Sequence, residues 1–230
     1  MRWNHLAAAA GIGSVLLAFV EFFGPGFPQT SDPARVLDAY FVDHRSWSLV
    51  AVVVQGVANS IWIIFLCGLA LLLRRAGSAA AASVALVGGA LNVAISLTGL
   101  ASIAVLAFGV AGNGSPDITR AFFEMSAITL VLSNFLLALM AAAVAAADVP
   151  RWFAWSSGVT SAVFLLGGFA LASHGAFSPD GAVQFATYGL ELLWTLAASL
   201  VVAQGRTKEA NEQGLSPSAP LARKSVLSAT

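Results

Sequence analysis

Five polar side chains recur along an otherwise apolar run near the end of the chain: Gln184, Tyr188, Glu191, Thr195 and Ser199. Their spacings of four, three, four and four residues stack them along one side of an α-helix. Glu191 is the carboxylic acid of the set, and it lies near the middle of a run, residues 183–203, long enough to cross a bilayer. An acidic side chain at that depth costs roughly 2.5 to 3.5 kcal/mol on insertion scales, so it is expected to face a bundle interior or a wet cavity. The stripe therefore reads as the buried face of the last helix.

Other apolar runs carry polar residues at similar depth. Asn59, Asn92 and Asn134 lie near the middles of the second, third and fourth runs, and Ser14 and Ser161 near those of the first and fifth. With Glu191, Tyr188 and Thr195 the three asparagines form a candidate polar core. Asparagine supplies donors and acceptors and glutamate a titratable proton, which is the chemistry of a solute site or a proton path. The same residue types also hold membrane helices together at about 0.6 kcal/mol per hydrogen bond, with no further role. Both uses place Glu191 facing inward, toward one or more of Asn59, Asn92 and Asn134. Gln55 shares a helix face with Asn59, and Glu124 is placed to reach Arg120 one turn earlier.

No enzyme motif accompanies this layer. The sequence contains no GxxxxGK[ST], GxSxG, GxGxxG or HExxH pattern and no paired CxxC. Its single cysteine, Cys67, lies in an apolar run with no histidine close in sequence. Asp43, His44, His174 and Asp180 all fall in outer loops, but their spacing lacks the density of a metal site, and surface histidines are the preferred reading. No catalytic residue, metal or cofactor is implied.

The elements that must position the polar residues follow from hydropathy. With 58% hydrophobic and 10% charged residues, and a mean hydropathy of +0.84, the chain lies outside the soluble range. The sequence predicts an all-α fold, a polytopic bundle of six transmembrane helices over residues 6–23, 47–73, 78–110, 121–147, 153–173 and 183–203. The third run exceeds the roughly 20 residues that a bilayer needs, so it is expected to tilt, project or break near Gly99. The first run could be taken for a secretory signal, but Glu21-Phe22-Phe23-Gly24-Pro25 lacks a small-residue cleavage pattern, so a retained helix is expected. In the first outer loop Ser31-Asp32-Pro33 is a helix-start signal. Val36, Leu37, Tyr40 and Phe41 then share a face, with Asp38 and Asp43 away from it. A short amphipathic helix over residues 32–43, lying on the membrane surface, is predicted. Residues 1–203 form the membrane domain, and residues 204–230, rich in Ser, Ala, Pro, Lys and Glu, are expected to be a disordered tail.

Six spans place both termini on one side. Arg2, Arg74, Arg75, Arg151, Arg206, Lys208, Arg223 and Lys224 gather there, against Arg35, Arg45 and Arg120 on the other, so the terminal side is assigned to the cytoplasm. A bacterial cytoplasmic membrane is the expected location and the lipid bilayer the expected partner. Zero formal net charge gives no sign of nucleic acid. A small-molecule or ion ligand stays open, and no protein partner can be named.

The stretches VPRWFAWSSGV, YGLELLWTLAASLVV and AYFVDHRS resemble uncharacterised bacterial six-helix membrane proteins of actinobacterial type, grouped as a domain of unknown function. The likeness runs over most of residues 6–203 and implies the six-helix topology and an acidic position in the last helix, here Glu191. It implies no activity. Three readings of function follow. The first is a non-enzymatic membrane protein, sensory or an assembly partner; the second, a small transporter or proton-coupled carrier using Glu191; the last, an intramembrane enzyme, for which no nucleophile and base can be named.

Overall fold

A computed structural model of the chain describes residues 3–172 and 175–205, apart from the side chains at 21 and 22. The described residues are all-helical, with seven α-helices. These are α1 (Trp3–Ala18), α2 (Ala34–Asp43), α3 (Arg45–Arg75), α4 (Ala79–Val105), α5 (Pro116–Ala145), α6 (Arg151–Gly167) and α7 (Ala182–Gln204). A 3-10 segment, Phe19–Phe23, extends α1, and a π-helical segment, Leu106–Val110, extends α4. Four of the helices, α3, α4 with its extension, α5 and α7, are long and apolar enough to cross a membrane. The proposed tail beyond residue 205 lies outside the described residues, as do Arg2 and His174.

Element ends follow local chemistry. Ser115 caps α5 by accepting a hydrogen bond from the Asp117 amide, and Pro116 takes the first helical position, where its missing N–H costs nothing. Gly205 ends α7 in the left-handed conformation, φ 59°, a backbone position that glycine enters without a Cβ penalty. The long third run does not break at Gly99. It stays α-helical to Val105 because Gly99 is a contact point, where a Cβ would meet the Thr129 hydroxyl and the Ser126 carbonyl of α5. The irregularity falls instead at the π segment, beside the turn that ends the run.

Six of the helices close a ring. α1 packs on α3, α3 on α4, α4 on α5, α5 on α6 and α6 on α7, and α7 returns to α1. Small residues set the approach distances. A side chain at Gly68 of α3 would strike Ala7 of α1, and one at Gly11 of α1 would strike Ser199 and Phe65. The largest apolar cluster occupies the end where α3 and α5 finish. It joins Phe65, Leu69, Met140, Phe153, Trp194 and Val202, from four helices. We call this end the base and the opposite end the cap.

The cap is stitched by polar contacts between segments distant in sequence. α2 lies across it against α5, with Leu37 and Phe41 fully buried while Val36 stays exposed. Asp38 does not simply face away from that apolar side. Its carboxylate accepts from the Gly112 amide at 3.2 Å and the Thr119 hydroxyl at 2.7 Å. The carbonyl of the same 111–112 peptide accepts from Arg45 Nη2 at 3.3 Å, so an acid and a base grip one peptide from its two ends. Asp180 accepts from the Thr30 amide at 2.8 Å, and Arg120 donates to the Thr30 carbonyl while pairing with Glu124 at 2.8 Å.

Candidate functional site

The side chains of α7 divide by direction. Thr187 and Trp194 turn toward α6, where Thr187 meets Gly167 and the Trp194 indole N–H donates to the Ser157 hydroxyl at 2.9 Å. Ser199 turns toward α1 and α3, against Gly11, and Tyr188 reaches α3, where Gln55 Nε2 donates to its phenol oxygen at 3.4 Å. At about 100° per residue, Glu191 points between these two directions, toward the middle of the ring. Thr187, Trp194, Thr195 and Ala198 around it are each at most 3% exposed. Glu191 itself is only partly buried, and no hydrogen bond to its carboxyl forms among the described residues.

The asparagines go to different partners. Asn134 of α5, buried, donates to Gln184 Oε1 of α7 at 2.8 Å. Gly167 makes room for that bond, since a Cβ there would lie 3.0 Å from Asn134 Nδ2. Asn59 turns back onto its own helix and donates to the Gln55 carbonyl at 3.0 Å. Asn92 of α4 is 4% exposed and its Oδ1 has no partner among the described residues. α4 stands opposite α7 in the ring order, so Asn92 and Glu191 are held on facing sides. The structure thus brings Tyr188 to Gln55 and Asn134 to Gln184. It joins none of Asn59, Asn92 or Asn134 to Glu191 by a hydrogen bond. Thr195 is buried beside Glu191, and its backbone carbonyl accepts from Ser199 at 2.7 Å.

Two contacts carry no mark in the sequence alone. Ser157 and Trp194 are ordinary residues for an apolar helix, and their hydrogen bond arises only from the crossing of α6 and α7. Ser161, placed by sequence in the mid-depth polar layer, crosses to α5 and donates to the Ala138 carbonyl at 2.8 Å, a partner its spacing did not name. Gln184 was legible as part of the α7 stripe, though nothing in its spacing named Asn134 as its partner.

The chemistry available at Glu191 is that of one carboxyl group with amide and hydroxyl neighbours. No nucleophile and base stand together there. Cys67 is exposed on the outside of the ring. Among the described residues no group of three or more His, Cys, Asp or Glu side chains could hold a metal. Of the loop residues, His44 stacks on Tyr40 with its Nδ1 3.1 Å from the Tyr40 carbonyl, and Asp180 is committed to Thr30. Burial pushes the Tyr40 phenol above its ordinary value of 10.0. For Asp180 partial burial acts upward, but hydrogen bonds from Ser178 and Thr30 outweigh it and hold the carboxyl below its ordinary 3.8.

No family model, no curated protein and no solved structure matches this chain. The resemblance drawn from its sequence motifs therefore gains no support from these comparisons, and function rests on the geometry.

Proposed function

We propose that the protein is a six-span integral membrane protein of the bacterial cytoplasmic membrane, with both termini cytoplasmic. It acts without enzymatic chemistry, as a sensory component or an assembly partner. The observation that carries this reading is the use of the ring's polar side chains: Asn134–Gln184, Gln55–Tyr188, Ser157–Trp194 and Ser161–Ala138 each tie one helix to another. That is the work of interhelical glue.

Length supports six spans. The 16 residues of α1 rise about 24 Å and the 3-10 segment adds about 10 Å, enough for a hydrocarbon core of about 30 Å. The 17 residues of α6 rise about 25 Å, close to the same thickness. The exposed Arg74, Arg75 and Arg151 at the base support a cytoplasmic base. α2, with its apolar side on α5 and its other side exposed, then lies on the outer surface.

A second reading, a proton-coupled carrier, is favoured by one observation, a mid-helix Glu191 carboxyl that makes no hydrogen bond among the described residues. Glu191→Gln separates the two. Under the packing role the substitution shifts unfolding in mixed detergent micelles by no more than about 0.5 kcal/mol, and proteoliposomes of either protein carry no proton flux. Proton uptake by the wild type that Glu191→Gln abolishes would replace the first reading with the second. A reporter fused after Thr230 that is active in the periplasm would overturn the topology.

A further inference from the structure

At the cap end the outer surface of the ring is not smooth. The π-helical segment after α4 widens the backbone, and between it and the first turn of α3 lies an open groove of about 410 Å³. Leu49, Ala104, Val105, Phe108, Gly109 and Val110 line it, all apolar. π segments add a residue to a turn and recur at functional sites. Here the widened turn leaves Phe108 81% exposed, and Gly109, with nothing within 4 Å of a Cβ position, forms part of the wall.

A cation stands directly above this groove. Arg45 precedes Leu49 by four residues on the same face of α3, and its Nη2 is anchored on the Ala111 carbonyl, the residue after Val110. Its Nε is enclosed without an acceptor, and no carboxylate pairs with the guanidinium among the described residues. Asp38, the acid at the other end of the 111–112 peptide, is committed to the Gly112 amide and Thr119. A fixed guanidinium with no carboxylate partner beside an apolar slot complements a molecule with an anionic head and a hydrocarbon tail.

We propose that this groove holds one acyl chain of an anionic phospholipid whose phosphate sits on Arg45. The inference rests on the membrane reading above, which places Arg45 at headgroup level and Leu49 just below it. A bound lipid there would hold the π segment and, through Ala111, the gripped peptide that joins α2 to α5. Lipid composition would then act on the arrangement of the cap.

The test uses the full chain, recovered from the membrane fraction and placed in nanodiscs of equal parts dioleoyl phosphatidylglycerol and dioleoyl phosphatidylcholine. Native mass spectrometry after release reads the lipids retained. Wild type is expected to keep one phosphatidylglycerol, enriched several-fold over phosphatidylcholine. Arg45→Gln should abolish that enrichment. Gly109→Leu, whose side chain enters open space, should remove the retained lipid of either kind without disturbing the cap. Should Arg45→Gln fail to fold, Gly109→Leu alone decides. Wild type without retained lipid, retention unchanged in Gly109→Leu, or a second copy of the chain retained instead would each overturn the proposal. Absence of the protein from the membrane fraction would instead sink the membrane reading on which it rests.

Discussion

Along the line where α3 faces α7, the two ends of the ring are built differently. Toward the base, Phe65, Leu69, Val201 and Val202 are at most 1% exposed, and Gly68 lies so close to Ala7 that no Cβ fits. Toward the cap the same two helices present Gln55, Gly56, Asn59, Tyr188, Gly189 and Glu191, every one only partly buried. Gly56 and Gly189 have nothing within 4 Å of a Cβ position. The base is a close-packed apolar floor in which added volume has nowhere to go. Along this line the upper half is looser and polar, and it is closed from outside both by an apolar cluster that includes Leu37, Phe41, Leu106 and Phe123 and by hydrogen bonds between loops. Close packing and open space are thereby separated along one pair of helices, and Glu191, whose carboxyl makes no hydrogen bond among the described residues, belongs to the looser half.

Substitutions at matched glycines can break this contrast. Gly68→Val should produce the largest effect, a destabilisation of about 1–3 kcal/mol from overpacking against Ala7, read by titrating the folded protein from mild detergent into dodecyl sulfate. A change within error there would mean that the floor yields, and the two halves would no longer differ. Gly56→Ala, on the same helix three turns nearer the cap, should act in the opposite sense. With open space for its methyl group it should stabilise α3 by about 0.5–1 kcal/mol through reduced backbone freedom. Loss of stability at Gly56 would show that the upper half is as tight as the base.

The smallest effect sharpens the account of the cap and appears only in acid. Asp180 is held below its ordinary value of 3.8, so it binds its proton more weakly when folded than when unfolded. Its contribution to stability is present above that ordinary value and is lost as pH falls through and below it. Asp180→Asn should flatten the acid limb of a stability profile in that range and leave the neutral range little changed. An acid limb identical to that of the wild type would show that the Thr30 contact does not hold the loops.

Much of the helical layout was legible because hydropathy and breakers act locally. The turn at Gly112 to Pro116 and the start of α5 at Pro116 follow from residues adjacent in sequence. Arg120 and Glu124, one turn apart, were placed to pair and do, at 2.8 Å. The short helix α2 begins at Ala34, just after the Ser31-Asp32-Pro33 signal. Asp38 was not legible as a clamp, since its partners Gly112 and Thr119 are more than seventy residues away.

Sequence by itself determined that the chain is helical and apolar and that one face of its last helix carries Gln184, Tyr188, Glu191, Thr195 and Ser199, because periodicity of 3.6 residues fixes which side chains share a face. Only the tertiary structure decided what each of them meets. Spacing orders residues along a helix but leaves open which neighbour it packs on, and the ring closure of α7 onto α1 and α6 sent Gln184 to Asn134, Tyr188 to Gln55 and Ser199 to Gly11. Glu191 was left between them, with no hydrogen bond to its carboxyl among the described residues.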